Sequence, residues 1–289
     1  MSTQRNGLCP CGSGQKYKKC CFYNDNSYER EQKRPADITP IFGEMEQEIQ
    51  KAYDAAMSAL YEDDLAGAKK IADALLNRHP SDHRVLFLQG VCGIKGNNFP
   101  EAITFFKKAI EVFPHLPEAF YNLANLYKVT LQFSNAIRSY RRVIVLDTNG
   151  GALGKKATEE LAALEQMIRD NDNLSLDEYI QSEESYHQAY NYLMNKQYEM
   201  AIASFHKTVQ VNTKHAPSYD YLAMAYCALG KNQKALAMLD KALSIDPNHA
   251  HALSNRRIIS QLQEGQKFEI PLTTGRKYKK LDRENSPSF

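Results

Sequence analysis

Small side chains recur along the middle of the chain at intervals of 34 residues, with a single interruption. One column consists of Ala68, Ala102, Ala136, Ala201 and Ala235, and a second, twelve residues earlier, of Ala56, Gly90, Ala124, Ala189 and Ala223. Small residues at both places allow two antiparallel helices to cross closely, because a larger side chain would force their axes apart. The interval therefore predicts five stacked helix pairs. These pairs cover residues 49–82, 83–116, 117–150, 182–215 and 216–249.

Two further columns keep the same register. Four residues after the first column stand mostly large groups, namely Ala72, Phe106, Tyr140, Phe205 and Leu239. Proline then ends three of the second helices, at Pro80, Pro114 and Pro247. The whole pattern resembles the tetratricopeptide repeat and covers 170 residues. The resemblance implies an all-α solenoid of helical hairpins.

The register breaks between the third and fourth repeats. Pro117 and Ser182 begin these repeats 65 residues apart, where two periods would need 68. A helical pattern at about 155–169 lies between them and predicts a capping helix. Ser175, followed three residues later by Glu178, is a capping box and predicts a new helix start. The repeats therefore divide into a group of three and a group of two, with a hinge expected near 171–174.

The ends of the chain complete the expected organisation. Residues 250–264 begin in repeat register and then lose it, as a final capping helix would. The expected segments are a zinc knuckle at 1–21, a flexible linker at 22–44, repeats one to three with a cap at 45–170, repeats four and five with a cap at 175–264, and a basic, disordered tail at 265–289.

Four of the six cysteines lie within thirteen residues near the N-terminus, in the string CPCGSGQKYKKCC. Cys9 and Cys11 form one close pair, and Cys20 and Cys21 form another. Two close thiolate pairs separated by a short loop are the ligand set of a closed tetrahedral zinc site. A segment this short cannot bury a core, so bound metal would have to supply its folding energy, on the order of 10 kcal/mol. We expect one structural Zn²⁺, with a redox-active pair at Cys20 and Cys21 as the alternative.

The same string resembles the SEC-C motif, which occurs at the C-terminus of the translocase motor SecA. The resemblance implies that the four cysteines ligate zinc. It also implies docking to the chaperone SecB or to ribosomes through side chains of the knuckle. Those side chains are Arg5, Lys16, Tyr17, Lys18 and Lys19. Because the motif opens this chain and no helicase-type motor motifs follow it, motor activity is not implied.

The net charge of +2 hides an uneven distribution of charge along the chain. Residues 1–35 carry a balance of +4, residues 36–264 a balance of −5, and residues 265–289 a balance of +3. The two basic ends favour acidic partners, and the acidic body between them favours basic partners. The N-terminus has no apolar core of a secretory signal, and no apolar run approaches the ~18 residues of a membrane span. We therefore expect a cytoplasmic protein whose cysteines are thiols or metal ligands.

The repeat resemblance also implies a concave groove, lined by the second, fifth, sixth, ninth and twelfth positions of each first helix. The residues assigned to this groove are Tyr121, Asn122, Asn125, Tyr186, His187, Tyr190, Asp220, Tyr221, Met224 and Asn255, together with Tyr53, Asp54, Met57 and Ser254. Tyrosine offers contact area with a polar tip, and asparagine can pair with both the N–H and the C=O of an extended peptide. We therefore expect a polypeptide guest.

One specificity known in the repeat family is not expected here. Repeat proteins that grip a terminal carboxylate place lysines in a clamp, and this chain has Tyr121, Glu118 and Tyr186 at those places.

A non-enzymatic bacterial adaptor accounts best for these features. Its groove would bind a polypeptide while the knuckle docks to an acidic partner such as SecB or the ribosome. RNA contact through the basic ends, and a role as accessory subunit of a repeat-bearing transferase, remain alternatives. No nucleophile–base pairing is visible, and His249 and His251 have no cysteine nearby to complete a metal site. Cys92 and Cys227 fall in first helices and are expected to be small buried hydrophobes.

Overall fold

The computed structural model describes residues 39–147 and 151–269, with side chains described from residue 47 onward. Twelve helices lie within these ranges. They are α1 Thr39–Tyr61, α2 Leu65–Arg78, α3 His83–Lys95, α4 Phe99–Val112, α5 Pro117–Val129, α6 Phe133–Leu146, α7 Ala152–Asp172, α8 Leu176–Met194, α9 Tyr198–Val211, α10 Ala216–Ala228, α11 Asn232–Ile245 and α12 Ala250–Ile259. The all-α fold expected from the repeat pattern is confirmed.

The two columns of small residues lie where the helices of each pair cross. All ten of these residues are buried, and the nine alanines have no exposed surface. In each pair the second helix packs on the first and also on the first helix of the following pair, in the series α1 to α5 and again in the series α8 to α12. Phe106, Tyr140, Phe205 and Leu239 are fully buried at the packing position that follows the first column. The repeat register is therefore confirmed by the packing it predicts.

Each pair turns between its helices through a residue with positive φ. These residues are Asp63, Asn97, Leu131, Lys196 and Gly230, with φ between 55° and 76°. They recur at the repeat interval, although only one of them is glycine. Left-handed backbone costs a non-glycine residue about 1 kcal/mol or more. Asp, Asn and Gly adopt this backbone most readily, so Leu131 and Lys196 are the positions where helix packing on both sides of the turn has to impose it.

The described chain falls into two compact units that divide between Gln166 and Met167. Unit 1 holds the helices of the first three repeats, and unit 2 holds those of the last two and the final cap. The division falls within α7, whereas the sequence placed a hinge at 171–174. The capping box at the start of α8 is confirmed, because the Glu178 N–H donates to Ser175 Oγ at 3.3 Å and the Ser175 N–H donates to Glu178 Oε2 at 2.9 Å.

Three element boundaries differ from those expected. Helix α1 begins at Thr39, inside the range 22–44 assigned to a linker, and Pro40 fits its first turn, where no N–H is needed. Helix α7 is longer than the 155–169 cap that the sequence indicated. The segment 265–269, assigned to a disordered tail, lies against unit 2 instead.

Hydrogen bonds to backbone oxygens hold the start of the tail in place. The Gly265 N–H donates to Gly230 O at 2.8 Å, and Asn232 Nδ2 donates to the carbonyls of Gln263 and Gln266 at 2.6 and 2.8 Å. Gly230 allows this approach, because a Cβ there would lie 2.6 Å from the Gly265 oxygen. No described helix has the combination of length and apolar surface that crossing a lipid bilayer requires.

We expect Gly90→Ala to lower the free energy of unfolding by roughly 1–3 kcal/mol, because it overpacks a closed helix crossing. A Cβ at Gly90 would lie 2.6 Å from the fully buried Phe106 ring. Gly96→Ala is the matched control, since Gly96 is exposed, has φ of −82° and would place its Cβ no closer than 3.3 Å to another atom. Urea unfolding followed by circular dichroism measures both variants, and equal midpoints for the two would contradict the assigned crossing.

Candidate functional site

The predicted zinc knuckle lies outside the described residues. Its four cysteines, Cys9, Cys11, Cys20 and Cys21, and its docking residues, Arg5, Lys16, Tyr17, Lys18 and Lys19, are therefore not placed by the structure. Within residues 39–147 and 151–269, no three histidine, cysteine, aspartate or glutamate side chains are grouped so as to hold a metal ion. Cys92 and Cys227 are both fully buried, as expected, and burial raises the pKa of the Cys92 thiol to about 11.

In unit 1, two predicted groove tyrosines lie near side chains of other helices. Tyr53 of α1 is half-buried, and its pKa is raised by burial and then by the charge of Glu118 on α5. Asp54 is exposed and accepts a hydrogen bond from Gln50 Nε2 at 2.8 Å. The Tyr121 ring meets the Tyr140 ring edge-on, with centroids 5.9 Å apart. The first helices of this unit therefore present aromatic side chains beside carboxylates.

The two predicted groove asparagines of α5 have local roles. Asn122 Nδ2 donates to the backbone oxygen of Glu118, one turn earlier, at 2.9 Å. Asn125 Oδ1 accepts from the hydroxyl of the fully buried Tyr140 at 2.6 Å. Burial also raises the pKa of Tyr140, so this hydroxyl remains a proton donor. Asn125 therefore supports the core of unit 1 with the oxygen that a guest peptide would otherwise use.

In unit 2, three predicted groove tyrosines form one continuous surface, which we call the tyrosine face: Tyr186 and Tyr190 on α8, and Tyr221 on α10. Their ring centroids lie 5.2–6.4 Å apart, and each residue is half-buried. The fully buried Phe205 of α9 stacks on Tyr221 at 6.1 Å with 15° between the ring planes. Burial raises the pKa of Tyr186, whose hydroxyl is also hydrogen-bonded to Tyr221. The tyrosine face is thus anchored in the repeat core, and each of its three side chains keeps some exposed surface.

A carboxylate and two imidazoles border the tyrosine face. Glu183 lies one turn before Tyr186 on α8, and its side chain is 24% exposed. Its carboxylate oxygens lie 3.6 Å from His215 Nε2 and 3.9 Å from Nε2 of the exposed His187. Burial raises the pKa of Glu183 and lowers the pKa of His215 to about 4. At neutral pH His215 is therefore uncharged, and its contact with Glu183 is not a salt bridge.

His215 also begins a helix. Its Nδ1 accepts the Ser218 N–H at 3.3 Å and lies 2.7 Å from Ser218 Oγ, at the N-cap of α10. His249 does the same for α12, where its Nδ1 accepts the Ala252 N–H at 3.3 Å. An imidazole can accept through Nδ1 only while that nitrogen is unprotonated. Histidine capping thus explains His249, which had no assigned role in the sequence.

Three residues assigned to the groove are buried instead. Asp220 is 1% exposed and Asn255 is 5% exposed, and Asn255 Nδ2 donates to Asp220 Oδ1 at 2.7 Å. Met224 is also 5% exposed. The Asp220–Asn255 pair lies between the neighbouring helices α10 and α12, where a guest would not reach it. Groove register alone could not distinguish these buried positions from that of Tyr221, because it does not show that the final helix covers the fifth position of α10.

Two side chains at the tyrosine face were not named from the sequence. Glu183 occupies the second position of its repeat, so the register of the groove already contained the signal. His215 stands at the last position of a repeat, a column that also holds Asp82, Leu116 and His249. Those four residues are all helix N-caps, and only their common place in the repeat could have identified the role.

Comparison with known proteins agrees with this architecture. Models of the tetratricopeptide repeat family match residues 53–117 and 216–249, and a model of the SEC-C motif matches residues 5–22. Among curated proteins, the chain is 25% identical over 143 residues to Anaphase-promoting complex subunit 3 of Schizosaccharomyces pombe. That match covers 50% of this chain but only 17% of the relative.

Solved structures of similar proteins are repeat proteins at low identity. The TPR2AB domain of yeast Sti1 in its pHSP90 complex is 16% identical over 73% of this chain and 83% of that chain, with a TM-score of 0.34. YrrB, described as a TPR protein with an unusual peptide-binding site, is 19% identical over 76% of this chain and 99% of that chain, with a TM-score of 0.34. The P58(IPK) TPR domain is 17% identical over 90% and 68%, with a TM-score of 0.38.

Proposed function

We propose that this tetratricopeptide repeat protein, which carries a SEC-C motif ahead of its repeats, is a non-enzymatic adaptor with two separate binding modules. The repeats bind a segment of a partner polypeptide, and the knuckle docks to an acidic partner such as SecB or the ribosome. Two linked modules gain effective concentration from the chain between them, so each contact can be weak. The observation that carries the proposal is the tyrosine face, which offers aromatic area on a fixed support.

The tyrosine face has the chemistry of a polypeptide-binding surface. Aromatic rings with a polar tip supply large contact area at low cost in conformational entropy. Here the rings already pack against one another and against Phe205. Binding a guest therefore costs them little further conformational entropy. Aromatic residues are also enriched where protein interfaces are most buried. The proposed guest lies across α8 and α10.

The proposed knuckle fits zinc through the chemistry of its donors. Cys9, Cys11, Cys20 and Cys21 supply four soft thiolates, the set that a closed structural zinc site uses. Bound zinc would supply the folding energy of this segment. Arg5, Lys16, Lys18 and Lys19 would offset the negative charge of four thiolates around one Zn²⁺ and leave a basic surface.

A factorial capture experiment tests the two modules separately. Immobilised full-length protein is compared with Tyr190→Ala, with its control Tyr192→Ala, and with Cys20→Ser/Cys21→Ser. Tyr192 stands two positions further along α8 and interacts with Gln188 of its own helix. We expect Tyr190→Ala to lose polypeptide partners that Tyr192→Ala keeps, and the cysteine variant to keep them while losing zinc and its docking partner.

Purified SecB and ribosomes, each titrated at two salt concentrations, test the docking half directly. Zinc content is measured on the same samples, and a full structural site should hold nearly one equivalent. Absence of binding to both at low salt would remove the docking proposal. Identical sets of captured partners for Tyr190→Ala and Tyr192→Ala would contradict the proposal that the tyrosine face binds the polypeptide. Binding of ribosomal RNA alone would favour the RNA-contact function instead.

A further inference from the structure

The described groove positions around the tyrosine face carry acidic side chains but no lysine or arginine. The second, fifth, sixth and ninth positions of α8, α10 and α12 include two carboxylates, Glu183 and Asp220, and no lysine or arginine. Asp220 is buried and paired with Asn255. Glu183 retains exposed surface at the edge of the face. The charge that this face offers to a ligand is therefore negative.

Glu183 is a partly buried carboxylate, and the two described nitrogen groups within 4 Å of it are both imidazoles. His215 Nε2 and His187 Nε2 lie beyond hydrogen-bond distance, and the nearby Asp172 further raises the pKa of Glu183. Such a carboxylate gains more from a cationic partner than a fully hydrated one does. The adjoining tyrosine rings add cation–π attraction, which is strongest for arginine lying on a ring. The surroundings of Glu183 thus suit a guanidinium or ammonium group.

A basic segment of the same chain lies within reach. Glu269, the last described residue, accepts from Lys196 Nζ at 2.6 Å and from the Tyr198 hydroxyl at 2.8 Å. These contacts fasten the chain to the turn between α8 and α9, thirteen positions after Glu183. Thirteen positions of helix span roughly 20 Å. The first arginine of the tail, Arg276, comes seven residues after Glu269, and seven extended residues span up to about 24 Å.

We propose that Glu183 and the tyrosine face form a binding site for cationic side chains, which the segment Arg276–Lys280 of the chain's own tail occupies until a guest displaces it. The segment RKYKK places four cations around a tyrosine, opposite in charge to the face. Intramolecular attachment gives such a segment an effective concentration near the millimolar range, so weak affinity is sufficient. The inference rests on the proposed groove and assigns its guest a chemistry, that of a basic polypeptide segment.

The test uses a synthetic, fluorescently labelled peptide of residues 270–289. Its binding to the full chain is compared by anisotropy with its binding to a chain ending at Glu269, which keeps the described tail contacts. We expect the peptide to bind the shortened chain at least roughly tenfold more tightly than the full chain. Equal affinity for the two chains, or no binding to either, would overturn the proposal.

Variants locate the site on the tyrosine face. Glu183→Gln in the shortened chain should weaken peptide binding roughly tenfold, the effect of losing a charged hydrogen-bond partner. Glu184→Gln, the same change at the next and exposed position, should leave binding unchanged. A peptide with glutamine at all four cationic positions of RKYKK should bind weakly to every variant. Equal effects of the two glutamate changes would place the peptide elsewhere.

A crosslinking measurement on the full chain does not depend on added peptide. Benzoylphenylalanine in place of Tyr278 should crosslink within the same molecule to peptides of α8 or α10, and crosslinks confined to other helices would contradict the assignment. If the tail fails these tests while partner capture still depends on Tyr190, the inference fails and the proposed function stands. If the tail binds at Glu183 while Tyr190→Ala captures the same partners, the proposed function fails instead.

Discussion

Replacing Phe205 with alanine is expected to lower the free energy of unfolding by about 3–5 kcal/mol, the usual cost of removing a buried phenylalanine ring. The Phe205 side chain has no exposed surface and lies in a buried core with Ala189, Leu193, Ala201, Leu222 and Ala225. Three of these neighbours are alanines, whose short side chains cannot move into the space that the ring leaves. Movement of the adjoining Tyr186 and Tyr221 can fill the cavity only in part, which keeps the cost within that range.

The matched control is Met200→Ala on the same helix. Met200 is 48% exposed, so its truncation removes little buried surface and should change the free energy of unfolding by no more than about 0.5 kcal/mol. Urea unfolding of both variants, followed by circular dichroism, separates the two expectations. A loss below about 1 kcal/mol for Phe205→Ala would mean that the helices close over the cavity, contrary to the described packing.

Loss of the Phe205 ring should also weaken the proposed guest binding under conditions where the variant remains folded. Tyr221 stacks on this ring, and Tyr186 lies 6.2 Å from it. Without that support the two tyrosines can take up other positions, and ordering them again on binding costs free energy. Partner capture measured well below the unfolding midpoint, with Met200→Ala as reference, distinguishes this effect from simple unfolding.

The features that could be predicted from sequence are those that need one residue type at a fixed place. The close helix crossings tolerate only small residues, so Ala68, Ala102 and their equivalents identified the repeats without any structure. The capping box at Ser175 was recognisable for the same reason, because its two side chains must each reach the other's backbone N–H.

Features that depend on the packing of neighbouring helices could not be recognised from a residue type at a fixed position. The left-handed turn residues include Leu131 and Lys196, neither of which prefers this backbone, so the flanking helices must enforce it. Asp220 and Tyr221 occupy adjacent groove positions, yet only Asp220 is buried under α12. Whether a groove position is open depends on how the following helix lies across it, and this information is not contained in the repeat register.

Acidification should cost unit 2 stability through His215, by about 3 kcal/mol between pH 6.5 and pH 4. Burial, followed by the nearby His187 and His249, lowers the pKa of His215 from 6.5 to about 4 in the folded chain. Between these two values the unfolded chain takes up a proton that the folded chain refuses. The free energy of unfolding therefore falls as the pH falls through this window and is fully retained above it. Protonation would also remove the Nδ1 acceptor that caps α10.

The variant His215→Asn isolates this contribution, because asparagine is a good N-cap and does not titrate. Its free energy of unfolding should change less between pH 6.5 and pH 4 than that of the unmodified chain, by about the same 3 kcal/mol. Glu183, whose raised pKa gives stability the opposite dependence on pH, is present in both proteins and so largely cancels in the comparison. His187→Asn is the reference variant: its side chain is 71% exposed and contributes less to the lowered pKa of His215 than burial does, so its loss should change the pH profile much less than His215→Asn does. Parallel profiles for His215→Asn and the unmodified chain would show that His215 titrates near its ordinary pKa, which its burial at the start of α10 should not allow.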